Sequence, residues 1–165
     1  MPIGRFHAGI GALIWSPETR QYLLLRRSRD KDYAPGAWEC ITGRVDQEEG
    51  FEDALHREVL EELGVEVQAE YILGTTHFYR GLPDPENELV GVVYLCTLPA
   101  SISIHIDAEH SEYRWLDAAQ ALDFLSAPDP STQWLRRVIQ RAEAILPMLP
   151  ENLVEFQRST GFEFG

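Results

Sequence analysis

The stretch "GRVDQEEGFEDALHREVLEELGV", residues 43–65, carries eight acidic side chains against two arginines. Like charges four residues apart weaken a helix slightly, so the crowding requires a nearby cation or a wet surface. Phe51, Leu55, Val59 and Leu63 recur every four residues and predict a helix over 51–63. Gly64 follows at the place where a left-handed C-cap belongs. At about 100° per residue, Glu62 lies about 40° to one side of Glu58 and Glu61 about 60° to the other. These three carboxylates share one stripe, while Leu55, Val59, Leu60 and Leu63 occupy another. The apolar stripe can dock on a sheet, leaving the carboxylates pointing together at its edge. Clustered oxygens on a rigid support suit Mg²⁺ or Mn²⁺. Asp53 and Glu61 lie four residues either side of Arg57, within reach of its guanidinium. The plainer use of such a run is a solvated helix face, which an isolated string of glutamates would favour.

Working outward, 6–15 reads as a strand, "SPETR" as a turn, 21–28 as a second strand and 38–42 as a short third. Beyond the helix, 65–81 and 87–98 are long strands around the loop "LPDPE", 102–106 is a short extended piece, and 112–117 leads into a helix over 118–126. A final helix spans 131–146, with Trp134, Leu135, Val138, Ile139, Ala142 and Ile145 on its apolar side. Strands dominate the first two-thirds with one helix inserted, which makes the class α+β, a mixed sheet flanked by helices. The tail after Pro150 shows no clear period, yet Leu153, Val154, Phe156, Phe162 and Phe164 give it apolar surface to pack on this chain or a partner.

The 165 residues fit one domain, 1–165, with 150–165 as a C-terminal tail. Fourteen basic against 27 acidic side chains give a net charge of −13. That field repels polymeric nucleic acid and anionic membranes, but a small polyphosphate can bind where a divalent cation and local arginines reverse it. Cys40 and Cys96 sit in apolar runs and read as reduced core residues of a cytoplasmic protein. The N-terminus lacks a signal-peptide layout, its apolar stretch being broken at Gly9 and Gly11, and no run is long enough to span a bilayer.

With Gly43, Glu49, Arg57, Glu58, Val59, Glu61, Glu62, Gly64 and Val65, the segment resembles the signature box of the Nudix hydrolases at nine specified positions over 23 residues. The box often opens Gly-Gly; here Arg44 stands second, which bears on a backbone contact in the loop and not on a metal site. The resemblance implies an α/β/α sandwich and metal-dependent hydrolysis of a diphosphate linked to another moiety. It implies Glu58 and Glu62 as principal ligands, Glu61 as a further one and the Gly43 carbonyl as another oxygen, with Glu49 pairing Arg57 to orient the helix. Glu109, six residues before Trp115, resembles the distal glutamate many members bring to the metals; Glu112 competes for that part. Either Glu58 or Glu109 would be the general base. His110 reads as an exposed loop histidine.

"WECITGRV", "AEHSEYRWLD" and the Trp- and Arg-bearing last helix are similar to the dihydroneopterin triphosphate pyrophosphatase branch. That likeness implies Arg5, Arg27 and Thr42 as substrate contacts, Arg27 also being the arginine of "LLLRRSRDK" chosen to grip phosphate oxygens. Trp38, Phe78 and Tyr79 are of a type that stacks a ring, but read as half-buried strand residues of the core. The implied reaction is attack of water on phosphorus in a nucleoside or pterin triphosphate, releasing pyrophosphate and a monophosphate. ADP-sugars or dinucleoside polyphosphates are the alternative substrates, although Tyr79, Pro83 and Pro85 only approximate the landmarks of those branches. A non-catalytic ligand-binding domain is the third reading, against which the intact box argues. Family members often pair, so a homodimer is also an expectation.

Overall fold

The computed structural model describes residues 4–164. One seven-stranded mixed sheet is built from β1 (His7–Ser16), β2 (Gln21–Arg27), β3 (Trp38–Glu39), β4 (Ile41–Arg44), β5 (Gln68–Tyr79), β6 (Glu88–Thr97) and β7 (His110–Leu116). Its main path runs β3-β2-β1-β6-β5; β4 pairs with β1, and β7 with β2. The parallel pairing of β1 with β6 is central, running from His7–Leu89 to Trp15–Thr97. The helices are α1 (Phe51–Leu63), α2 (Ala118–Phe124), α3 (Pro130–Ile145) and α4 (Glu151–Thr160).

Strand alternation explains the layering. Ile10, Ala12, Ile14, Leu23 and Leu25 face a core completed by Leu55, Val59 and Leu63 of α1. Leu13, Tyr22 and Leu24 face the opposite core, with Leu135, Ile139 and Ala142 of α3 and Ala121 of α2. The continuous run "YLLL" is therefore apolar on both faces. These cores on either side of the sheet form the expected α/β/α sandwich. Among the described residues, no helix is long and apolar enough to cross a membrane.

Helix α1 has the expected bounds, and Gly64 caps it at φ 67° with its N–H donating to the Leu60 carbonyl at 2.9 Å. Leu60 departs from expectation: it is exposed, and the buried companions of the apolar stripe are Ala54 and Glu62. The stretch 102–106 joins no ladder. His105 and Asp107 instead donate their N–H groups to the Leu63 and Glu62 carbonyls, satisfying the end of α1. The expected single strand 38–42 breaks at buried Cys40 into β3 and β4, which pair with different neighbours, β2 and β1.

The tail is also corrected: most of it is α4, and it packs on its own chain. Arg158 of α4 donates to both oxygens of the buried Glu70, at 2.5 and 2.7 Å. The N-cap of α1 is Gly50, which has no side chain to cap with; the Glu163 carboxylate accepts from the N–H groups of Phe51 and Glu52 at 2.9 and 3.1 Å. Glu52 returns the contact, accepting from the N–H groups of Phe162 and Glu163 at 2.7 and 3.0 Å. Phe162 meets the Tyr94 ring edge-on, 5.5 Å between centroids. An anion at a helix N-terminus is stabilising, so the C-terminal segment braces the start of the acidic helix. Phe162→Ala is expected to cost about 2 kcal/mol of folding stability, measured by urea unfolding.

Candidate active site

The acidic helix faces a cavity of about 620 Å³. Its floor uses Gly9, Gly11 and Gly43; its walls come from the 31–39 segment, the outer half of β5 and the start of α3. Glu58, Glu61 and Glu62 line it with Glu109, Gly43, Arg27 and Thr42, so the fold brings together seven of the residues singled out from sequence. Arg5 is not brought there; it lies exposed ahead of β1.

Arg57 is the hub beneath the cluster. It donates to both oxygens of Glu49 at 2.7 and 2.8 Å, to the Arg44 carbonyl at 2.9 Å, to Glu58 Oε1 at 2.9 Å and to Glu61 Oε2 at 3.4 Å. Its fork ties the loop 44–49 to the helix, and its bonds hold the Glu49 carboxyl at about 2. Gly43 is required by close approach. A Cβ there would lie 2.1 Å from the Glu58 carboxyl carbon.

Glu62 is 5% exposed, and its Oε2 has no hydrogen-bond partner. Burial first, then the charges of Glu39, Glu58, Asp107 and Glu109, push its carboxyl up to about 9. Burial also raises Glu58, with Arg57 opposing. Glu109 is held below the usual carboxylate range by Lys31, its ion-pair partner. Among the described residues, no three His, Cys, Asp or Glu side chains already converge as a ligand set; Glu58 is turned toward Arg57 and Glu109 toward Lys31.

Arg27 and Thr42 both rest on Glu39. Arg27 Nη1 meets the two Glu39 oxygens at 2.9 and 3.0 Å, and the Thr42 hydroxyl donates to one of them at 3.3 Å. His110 is not an exposed loop residue. Its side chain is 2% exposed, with Nε2 3.1 Å from Glu39 and 3.7 Å from Glu62, and Nδ1 3.2 Å from Asp107. A bulge explains why the sequence hid it: Arg26 pairs with Glu112 but Arg27 with His110, leaving Ser111 as the extra residue. Simple alternation would have put His110 on the face of Glu112 and Arg114. Glu39 and Asp107, which complete this buried network, carried no motif signal either.

The aromatic residues divide. Trp38 packs against the core around Leu13 and Leu24 as expected and lines the cavity as well, held edge-on to Phe124 at 5.0 Å, whereas Phe78 and Tyr79 line the cavity and join neither core. Trp134 joins them, its Nε1–H donating to the Thr76 hydroxyl at 3.1 Å. The arrangement can place a planar group among aromatic rings and a polyanion beside carboxylates and guanidinium groups.

Comparison with known proteins agrees with this architecture. The family profile described as NUDIX domain matches residues 5–142. A nucleoside triphosphatase, NudI, from Klebsiella pneumoniae is 30% identical over 103 residues, covering 59% of this chain and 73% of that protein. The MutT protein of Methanosarcina mazei Go1 superposes with a TM-score of 0.70 at 24% identity, covering 87% and 97% of the two chains. The E. coli dihydroneopterin triphosphate pyrophosphohydrolase gives 0.64 at 24% identity, covering 83% and 96%. With a complete box on a matching sandwich and a family profile spanning most of its length, the chain belongs to the Nudix family of hydrolases.

Proposed function

We propose that the protein is a divalent-metal-dependent pyrophosphohydrolase acting on a nucleoside or pterin triphosphate, releasing pyrophosphate and a monophosphate. The observation that carries this reading is the Glu62 carboxylate, buried near four other acids with one oxygen unpartnered at the cavity. Such a group is costly to bury alone, and a cation supplies both the missing partner and the missing charge. The residues present therefore fit Mg²⁺ or Mn²⁺, which Glu58, Glu61, Glu62 and Glu109 would hold with the Gly43 carbonyl. When bound, the ion shields the diphosphate and makes water a better nucleophile.

The chain's own residues do the remaining work. Arg57 positions Glu58 and Glu61 by tying helix to loop. Glu109, kept ionised by Lys31 and half exposed in the cavity, is the base candidate not turned toward Arg57. Trp38, Phe78 and Trp134 offer faces for the organic ring. Arg27 and Thr42 reach the substrate by way of the cavity wall they share with Glu39. The reduced Cys40 and Cys96 suit a cytoplasmic setting.

The test is phosphate release with Mg²⁺ across a panel, coupled to inorganic pyrophosphatase for nucleoside triphosphates and dihydroneopterin triphosphate, and to alkaline phosphatase, which attacks the monoester products, for ADP-sugars and dinucleoside polyphosphates. Preference for a triphosphate supports the proposal. Preference for the diphosphate-linked compounds selects the alternative substrates, and release from none selects a ligand-binding role. Gly43→Ala checks the site more finely. Because the new methyl must displace the Glu58 carboxylate, turnover should fall about 100-fold while the circular dichroism spectrum is retained.

A further inference from the structure

Five cations line the cavity: Arg27, Lys31, Arg44, Arg80 and Arg137. Two are already neutralised, Arg27 by Glu39 and Lys31 by Glu109. Arg44 and Arg80 have no carboxylate within ion-pair distance among the described residues, in a chain whose acids outnumber its bases by 27 to 14. Two guanidinium groups left without carboxylate partners in one cavity give a bound anion a place to pair.

Arg80 is also built in. Its N–H donates to the Asn87 carbonyl at 2.9 Å, closing the loop that joins β5 to β6. Its guanidinium lies 5.2 Å over the Tyr33 ring, and the Tyr33 carbonyl is held by Arg27 Nε at 3.0 Å. The side chain is half-buried, and burial, followed by the positive charges of Arg44 and Arg27, disfavours its charged form. Three guanidinium groups thus lie close enough to repel one another, the arrangement that an oligophosphate relieves. Arg44 connects this cluster to the acidic one: it follows Gly43, and its carbonyl accepts from Arg57, which also donates to the Glu58 carboxylate. A path therefore runs from Glu58 along Arg44 to Arg80. Thr76 and Phe78 share one face of β5, and Arg80, just past the end of that strand, lines the same cavity.

We infer that Arg80, stacked on Tyr33 and working with Arg44, is a seat for the terminal phosphate of a triphosphate, and that it makes this cavity discriminate triphosphates from diphosphates. The inference rests on the hydrolase reading above and adds which end of the polyphosphate is recognised and by what. On this inference a diphosphate held by the carboxylate cluster leaves Arg80 unengaged, and the third phosphate of a triphosphate accepts a bidentate pair from it.

Binding of α,β-methylene ATP and α,β-methylene ADP, neither cleavable at that linkage, is measured by calorimetry with Mg²⁺ in the wild type, Arg80→Ala, Arg80→Lys and Arg44→Ala. Arg80→Ala should lower the triphosphate-to-diphosphate affinity ratio about tenfold or more. Arg80→Lys should recover part of it, and Arg44→Ala should lower it too. Inorganic pyrophosphate, as product inhibitor, should bind more weakly to Arg80→Ala. Folding is not a confounder for Arg44, which is exposed, and circular dichroism checks Arg80. A ratio unchanged within about twofold in Arg80→Ala, a difference below RT ln 2, overturns the inference and leaves Arg80 on Tyr33 as a structural contact. So does a wild type that binds neither analogue. The hydrolase reading fails separately, by absence of phosphate release in the panel.

Discussion

Glu58→Gln is expected to lower pyrophosphohydrolase turnover on the order of 10³-fold at saturating Mg²⁺, with an unchanged circular dichroism spectrum. Glutamine keeps the shape of the side chain and an oxygen for Arg57 Nη1, which sits 2.9 Å from Glu58 Oε1. What it removes is the negative charge. Burial already works against that charge in the folded protein, so the fold loses little, while the proposed metal site loses a ligand. A variant retaining near-normal rates would show that the glutamate stripe of α1 is a wet surface and not a metal site.

Glu62→Gln is expected to move stability and activity in opposite directions. The Glu62 carboxyl titrates near 9 in the folded, metal-free protein and at the ordinary 4.5 when unfolded. The folded state therefore binds the proton more tightly than the unfolded one. Stability from this group is complete below about pH 4.5 and is lost as pH rises toward 9. Glutamine cannot ionise, so the metal-free variant should exceed wild type by about 2 kcal/mol at pH 8 and match it near pH 5. Adding Mg²⁺ should raise the wild-type Tm and leave the variant nearly unmoved, while turnover in the variant falls as steeply as in Glu58→Gln. Parallel pH profiles for the two metal-free proteins, followed by urea unfolding between pH 5 and 9, would show that Glu62 is not the group responsible.

Both experiments turn on a helix whose bounds and cap could be read directly. Local rules decide those features: a four-residue apolar repeat, a glycine that adopts φ 67° without steric cost, and carboxylates at fixed angular offsets. The rules fail where burial depends on what packs against the helix. Leu60 belongs to the apolar set by residue type but lies at its margin and is exposed, whereas Glu62 is carried under the sheet edge. Glu109 was legible from its distance to Trp115, yet its Lys31 partner comes from a loop 78 positions away that no spacing rule connects to it.

By itself the sequence determined the α+β class, the acidic helix, the order of most strands and the family box, because each depends on residues near one another in the chain. Only the tertiary structure decided that the C-terminal segment folds back to cap α1 through Glu163, that a bulge at Ser111 buries His110 among Glu39, Glu62 and Asp107, and that Trp38 and Phe78 face a cavity. It also gathered Arg44 and Arg80 beside that cavity without acidic partners. The reason is physical: periodicity and capping act within a few residues, whereas burial, charge pairing and the seating of a polyanion are set by elements brought together from distant parts of the chain.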